Sequence, residues 1–222
     1  MKFDIDSNKV CFLSPHSDDT FLELYFTIAN RVLPGEYFLC TVFSESNYVD
    51  ISQKDLFLED TITNIRVAED LAMARKLGMK YFTINEPDCL MRYGMVFFDD
   101  CLLDEELIVK ISERICILVK EQGIDYIIAP YPCGNKQHYD HRVLCKVAKR
   151  VAEIEKVNLL WTNDIPYSSI PKEIIKKCIW SKILTDLDVL EKVSKLDYFY
   201  PSQTCEYYKD AIRNKEENLV VL

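Results

Sequence analysis

The chain contains three histidines, and all three lie in two short stretches that also carry carboxylates. The first stretch is Ser14-Pro15-His16-Ser17-Asp18-Asp19, and the second is His138-Tyr139-Asp140-His141. Two histidines and a carboxylate, with one coordination position left open, are the ligand pattern of a catalytic zinc site. The two stretches together therefore predict a metal centre.

Each stretch lies where a predicted strand ends and a predicted helix begins. An apolar strand at 9–13 precedes a helix at 19–32, and a strand at 125–129 precedes a helix at 138–156. Open α/β sheets bind ligands at the carboxyl ends of their strands. His16 and Asp19 are three residues apart at a helix start, as are His138 and His141, so each pair can face one point. We expect the two stretches to converge there.

Taken alone, each stretch also fits a simpler role. An adjacent Asp pair at a helix N-terminus commonly caps the helix and complements its dipole. A single His at a helix start is more often a cap or a surface residue than a metal ligand. The metal prediction thus depends on the two stretches occurring together.

Strand and helix patterns alternate along most of the chain, which predicts a single α/β domain over 1–222. The expected fold is a Rossmann-like, mainly parallel sheet with helices on both faces. The remaining predicted helices are 58–77 and 105–122, and the remaining strands are 36–44, 80–84 and 158–162. Segment 85–100 is expected to be irregular. In the tail, 174–184 is a strand or a helix, 187–198 and 207–218 are helices, and 219–221 is a short strand.

Composition excludes several classes of partner. The first strand is not followed by a glycine-rich loop, and the chain has 5 glycines in all, so a dinucleotide is not expected. A net charge of −9 argues against nucleic acid. We expect no signal peptide and no membrane span. The 9 cysteines are spread singly without a C-x-x-C pair, which favours a reduced, cytoplasmic protein. A homo-oligomer remains possible.

The two stretches resemble the paired motifs of a known family. Pro15-His16-Ser17-Asp18-Asp19 is similar to the P-H-P-D-D motif of the PIG-L/LmbE-like N-acetylglucosaminyl deacetylases, and His138-Tyr139-Asp140-His141 to their H-x-D-H motif. Weaker similarities occur in the expected order between about residues 9 and 205. They are Arg66-x-x-Glu69, Ala74-x-x-Leu77-Gly78, Asp164-Ile165-Pro166-Tyr167 and Tyr200-x-Ser202-Gln203.

The resemblance implies hydrolysis of an N-acetylated amino sugar or glycoconjugate to a free amine and acetate. It implies that His16, Asp19 and His141 bind a metal, most often zinc, although another divalent metal is possible. Asp18 would act as general base and then acid, and His138 would stabilise the oxyanion. Asp140 would hold His138 in the required tautomer and orientation.

Candidate substrate contacts are less specific. Arg66 could contact substrate, or it could be a solvated arginine paired with Glu69 or Asp70. Asn135 and Lys136, together with Tyr131, precede the second motif and could line the pocket or form an ordinary loop. Arg92 and Tyr93 are weaker candidates.

The chain also departs from the family pattern. Ser17 replaces a common Pro, Thr20 replaces the usual Glu, and the bulky run 21–25 replaces a small, glycine-containing segment. None of these positions is a proposed ligand or base, so the departures concern rate and substrate more than reaction class.

Three other interpretations remain open from the sequence. A metal-dependent amidase could act on another small amide, and a non-catalytic binding protein could retain the fold. The presence of both Asp18 and His138 favours an enzyme over the second of these. A nucleotide-binding oxidoreductase is disfavoured by the missing glycines.

Overall fold

A seven-stranded sheet runs through the part of the chain that the structure, a computed structural model, describes. The described residues are 8–49, 58, 61–94, 102–132, 137–165, 167, 170–213 and 216–221. Their strands are β1 (Lys9–Ser14), β2 (Glu36–Thr41), β3 (Lys80–Thr83), β4 (Tyr126–Pro130), β5 (Asn158–Thr162), β6 (Cys178–Ile183) and β7 (Glu216–Val221). Their helices are α1 (Asp19–Ala29), α2 (Ile62–Lys76), α3 (Cys89–Tyr93), α4 (Glu105–Gln122), α5 (Tyr139–Glu155), α6 (Lys172–Ile175), α7 (Asp186–Phe199) and α8 (Glu206–Arg213).

The strand order is β3-β2-β1-β4-β5-β7-β6. Strands β1 to β5 are parallel to one another, whereas β7 is antiparallel to both β5 and β6. The predicted mainly parallel α/β fold is therefore confirmed. Because the chain leaves β1 toward β2 and leaves β4 toward β5, on opposite sides, a crevice forms between β1 and β4 at their carboxyl ends.

Helices cover both faces of the sheet, as predicted. Alternate residues of β1 point to opposite sides, so that Cys11 and Leu13 pack with α4 and α5. Val10 and Phe12 pack with α1 and with parts of α2, α7 and α8. The central strands are apolar on both faces because each face meets a helical layer.

Two regions differ from the sequence prediction. The segment expected to be irregular contains α3, which begins at its N-cap Asp88 and ends at Gly94 in the left-handed conformation. The predicted helix over 207–218 ends at Arg213, because the chain then enters β7 and pairs with β5 and β6. Tertiary strand pairing overrides the local helical pattern there.

Helix α1, which carries the bulky run noted above, is kinked at Leu24, whose φ and ψ are −136° and 21°. The kink frees backbone N–H groups in the following turn, and Glu217 of β7 accepts two of them, from Phe26 at 3.0 Å and from Thr27 at 2.8 Å. The buried ammonium of Lys192 pairs with the same carboxylate at 2.7 Å. Glu217 therefore connects α1, α7 and the sheet.

Two observations bear on the expected environment of the protein. Among the helices that the structure describes, none combines the length and the apolar character that a membrane crossing requires. Seven of the cysteines lie in described residues with free thiols. The cytoplasmic location stays a prediction.

We predict that Glu217→Ala lowers the free energy of unfolding by about 3–5 kcal/mol, because it leaves Lys192 buried without its partner and uncaps the second half of α1. Urea denaturation followed by circular dichroism measures this. Glu216→Ala, at the half-buried neighbouring position, is the matched control and should change the value by less than about 0.5 kcal/mol. Equal effects of the two substitutions would contradict the assigned role.

Candidate metal centre and cavity

The turn after β1 is held by its own side chains. Ser14 Oγ donates to the carbonyl of His16 at 2.7 Å and accepts the N–H of Thr20 at 3.1 Å. Asp19 Oδ2 accepts the backbone N–H of His16 at 2.8 Å. Asp18, at the start of α1, has φ 82°, in the left-handed region that non-glycine residues rarely adopt. These bonds fix His16 and Asp19 on one side of the turn.

The second stretch begins α5, which follows β4. His138 is the N-cap, and its Nδ1 accepts the backbone N–H of Asp140 at 3.2 Å. His141 follows one turn later and is fully buried. The carboxyl end of β4 lies beside that of β1, so His141 reaches the first stretch.

Three donor atoms from the two stretches form a nearly equilateral triangle. His16 Nδ1 lies 3.2 Å from Asp19 Oδ2, His141 Nε2 lies 3.2 Å from the same oxygen, and the two ring nitrogens are 3.2 Å apart. Tetrahedral zinc with bonds of about 2.0–2.1 Å separates its ligands by about 3.3 Å. The three residues thus fit one metal ion with a fourth position left open.

A carboxylate lies behind each of these histidines. Asp140 Oδ2 is 3.0 Å from His16 Nε2, and Asp164 Oδ1 is 2.6 Å from His141 Nδ1. Metal-binding histidines typically donate their second ring N–H to such a group, which fixes the tautomer and orientation of the ring. Asp164 was not among the predicted site residues. The sequence feature that could have identified Asp164 is the motif 164–167, which is similar to a motif of the family and follows a predicted strand.

The structure corrects the expected partner of Asp140. The sequence analysis has Asp140 orienting His138, but its carboxylate contacts His16, the backbone N–H of Cys89 and the guanidinium of Arg92. The group of Asp140 that reaches His138 is its backbone N–H. His16 is therefore the histidine that hydrogen-bonds to this carboxylate, although one of its oxygens lies within 4.8 Å of a ring nitrogen of His138.

The charges around the triangle attract a cation. Burial lowers the pKa of His16, but hydrogen bonds to Asp140 and Asp19 outweigh burial and raise it to about 9. Burial likewise opposes protonation of His141, yet the charges of Asp164 and Asp19 raise its pKa well above the usual value. Burial raises the pKa of Asp19, but His141 and His16 bring it below its usual range. Metal ions bind such donor sets by displacing protons.

Asp18 and Arg66 lie side by side next to the triangle. Burial, followed by the charge of Asp19, raises the pKa of Asp18 well above its usual value. Its Oδ1 is 4.0 Å from Arg66 Nη2, and its buried Oδ2 has no hydrogen-bond partner among the described residues. Arg66 donates to Ser46 Oγ at 2.8 Å and is 4% exposed. The solvated alternative for Arg66 is therefore wrong.

A cavity of about 190 Å³ opens beside the three candidate metal ligands, His16, Asp19 and His141. His16, Asp18, Asp19 and His138 lie in its wall. The other described wall residues are Tyr48, Arg66, Asp88, Cys89, Leu90, Tyr167, Gln203 and Tyr208. Arg66 was a predicted substrate contact, and Tyr167 and Gln203 belong to motifs noted in the sequence, whereas no sequence pattern connected Asp88, Cys89, Leu90 or Tyr208 to the site.

The remaining predicted substrate contacts have mixed outcomes. Asn135 and Lys136 lie outside the described residues. Tyr131 packs edge-on against Trp161, with ring centroids 6.2 Å apart, and is not among the described wall residues of the cavity. Arg92 contacts Asp140 instead of lining the cavity.

Two other groups of possible metal ligands lie within the described residues, and both include His138: His16, His138 and His141, and Cys89, His138 and Asp140. Cys89 Sγ is 3.6 Å from His138 Nε2. Since His138 Nδ1 accepts an N–H, the ring proton belongs on Nε2, which then has no lone pair for a metal. The oxygens of Asp140 already accept from three donors. The triangle of His16, Asp19 and His141 is the better metal site.

The family follows from a comparison with protein-family models. Residues 11–152 match the PIG-L model, described as GlcNAc-PI de-N-acetylase, and this match includes both histidine stretches. The chain belongs to the PIG-L family. A comparison with curated proteins gave no match.

Solved structures of similar fold include several deacetylases. The zinc-inhibited form of a teicoplanin deacetylase shares 14% identity at a TM-score of 0.69, covering 97% of this chain and 99% of that one. A deacetylase of the A40926 pseudoaglycone shares 17% at 0.66, covering 97% of both chains. The N,N'-diacetylchitobiose deacetylase of Pyrococcus horikoshii shares 18% at 0.66, covering 97% of this chain and 84% of that one. At sequence identities this low, the structural similarity shows that the fold is shared.

We predict that Asp18→Asn raises the free energy of unfolding of the metal-free protein by about 1 kcal/mol, because the burial of this carboxylate and its repulsion by Asp19 outweigh its 4.0 Å contact with Arg66. Chemical denaturation in the presence of a chelator measures this at neutral pH. Asp104→Asn is the matched control. Asp104 caps α4, and Asn caps a helix as well as Asp, so little change is expected there. A less stable Asp18→Asn protein would contradict the account.

Proposed function

We propose that this protein is a metal-dependent hydrolase, with zinc as the expected metal, that removes the acetyl group from an N-acetylated amino sugar or glycoconjugate. The observation that carries the proposal is the triangle of three donor atoms 3.2 Å apart beside a cavity that also holds Asp18. Membership of the PIG-L family supports it, as do the deacetylases among the solved structures of similar fold.

His16, Asp19 and His141 would hold the metal, which when bound supplies a Lewis acid and makes a water molecule acidic enough to react near neutral pH. Asp18 would take a proton from the attacking water molecule while the oxygen of that water forms a bond to the carbonyl carbon of the acetyl group. Asp18 would then pass that proton to the nitrogen as the C–N bond breaks, which releases the amine and acetate. Asp18 lies in the cavity wall, and its Oδ2 has no hydrogen-bond partner among the described residues, which supports this role.

His138 would stabilise the charge that develops on the carbonyl oxygen. Burial, followed by the charges of His16 and His141, lowers the pKa of His138 to about 2, so the ring is neutral at physiological pH. Its Nδ1 accepts the N–H of Asp140, which leaves the proton on Nε2 as a donor. A neutral donor fixed in the cavity wall suits an oxyanion because it needs no rearrangement during the reaction.

The size and polarity of the cavity support a single amino sugar ring. Its volume of about 190 Å³ is below the range of about 300–1,000 Å³ that drug-sized ligands occupy. Asp88, Gln203 and three tyrosines offer hydrogen bonds to hydroxyl groups. Arg66, the arginine in the described wall, already lies beside Asp18, and Asp88 adds a further carboxylate, so the described wall favours an uncharged sugar over an anionic ligand. The remainder of a glycoconjugate would lie outside.

We predict that the purified protein holds about one zinc per chain and releases amine from N-acetylglucosamine derivatives. Asp18→Asn should keep the metal and lose about 10²- to 10⁴-fold in kcat, because the proton acceptor is gone. His141→Ala should lose the metal. Elemental analysis and an amine-release assay measure both quantities.

The exposed substitution Glu105→Gln on α4 is the control and should leave metal content and rate unchanged. A wild-type protein that takes up no metal when zinc is supplied would contradict the proposal. Metal binding without cleavage of any amide would favour the non-catalytic binding protein.

We predict that kcat/KM for the methyl glycoside of N-acetylglucosamine exceeds that for N-acetylglycine at least about tenfold, because the carboxylate of N-acetylglycine would meet Asp18 and Asp88 in the wall. Asp88→Asn should reduce this preference while it keeps the cap of α3. An equal or reversed preference would indicate an amidase for another small amide.

A further inference from the structure

We propose that Arg92 is a positioning residue for the metal ligand His16 and that it acts through Asp140. The guanidinium Nη2 of Arg92 donates to Asp140 Oδ1, and Asp140 Oδ2 lies 3.0 Å from His16 Nε2. The inference rests on the metal-dependent function proposed above. It assigns to Arg92 a role in metal affinity, with no direct contact to substrate.

Asp140 is fully buried, so its carboxylate depends on the groups around it. Oδ2 accepts from His16 Nε2 and from the backbone N–H of Cys89 at 2.8 Å, and Oδ1 accepts from Arg92. Arg92 brings a full positive charge to this group, and charge-assisted hydrogen bonds are stronger than neutral ones. Arg92 therefore holds the carboxylate of Asp140 with Oδ2 directed at His16.

Arg92 is itself fixed on several sides. Its Nη1 donates to the carbonyl of Pro87, and its guanidinium carbon lies 4.9 Å from the ring centre of Phe43 and 5.2 Å from that of Tyr93. Its side chain is 14% exposed. Both the Cys89 N–H and Arg92 belong to α3, so this five-residue helix delivers two donors to one carboxylate.

The arrangement determines which nitrogen of His16 is available to a metal. The carboxylate of Asp140 lies at Nε2 of His16, so the other ring nitrogen, Nδ1, is the one that faces Asp19 and His141 and would bind the metal. Without Arg92, Asp140 Oδ1 loses its charged donor, and the carboxylate is held less firmly against His16 Nε2. Loss of such an outer partner typically lowers metal affinity by about 10- to 100-fold.

The test is zinc affinity, measured by competition with a chromophoric chelator, for the wild type and for Arg92→Met, Arg92→Lys and Asp140→Asn. Arg92→Met should weaken zinc binding by about 10- to 100-fold, and Arg92→Lys by less because it retains the charge. The double variant Arg92→Met/Asp140→Asn should bind no more weakly than Asp140→Asn, since both act through one contact. Excess zinc should restore most of the kcat of Arg92→Met.

Arg114→Met is the matched control, because Arg114 pairs with Glu86 away from the triangle and should leave zinc affinity unchanged. A folded Arg92→Met protein that binds zinc as tightly as the wild type would overturn the inference. Should Arg92→Met not fold, additive effects of Arg92→Lys and Asp140→Asn would overturn it. A wild type that binds no zinc would instead overturn the proposed function.

Discussion

The parallel pairing of β1 with β4 is the constraint on which the site depends. Phe12 and Ile128 lie opposite each other in this pairing, although 116 positions separate them in the numbering. The carboxyl ends of the two strands therefore lie side by side, and the turn after β1 meets the start of α5. Each histidine stretch is unremarkable by itself, and their chemistry arises from this contact between strands.

The contact places several charged groups in an apolar setting. Asp19, Asp140 and Asp164 are all buried within hydrogen-bond distance of His16 or His141. Buried carboxylates are stable only when positive charge and donors balance them. Protons on the two imidazoles provide that balance in the metal-free protein, and a divalent cation would replace them. Asp18 is different, because one of its oxygens lacks a partner and its φ is strained. A buried oxygen without a partner and a strained φ both lower stability, and such features are typical of residues that take part in a reaction.

The sequence predicted the parts of the site that depend on strand ends. His16 and His141 each follow a clear apolar strand, so their convergence could be inferred before any coordinates. Asp164 follows a strand as well, but its contact with His141 depends on β5 lying next to β4. Asp140 was expected to orient His138, but the group that reaches the His138 ring is its backbone N–H, and its carboxylate contacts His16.

Other features of the structure could not be predicted from local sequence patterns. Arg92 lies 48 positions before Asp140, in a segment without periodicity, and it reaches the site because α3 packs against the start of α5. Likewise, β7 includes Glu216 and Glu217. The local sequence pattern predicts a helix at these residues, and only the pairing with β6 shows that they form a strand. The burial of Lys192 and Glu217 could not be predicted either, because charged residues are seldom buried unless they are paired, and the sequence does not show the pairing.

The most direct test of the central claim is the location of the metal itself. Crystals of the zinc-loaded protein, measured on both sides of the zinc absorption edge, would give an anomalous difference map. The account predicts one strong peak about 2.0–2.2 Å from His16 Nδ1, Asp19 Oδ2 and His141 Nε2. A peak at Cys89 and His138 instead, or no peak in the crevice between β1 and β4, would contradict it.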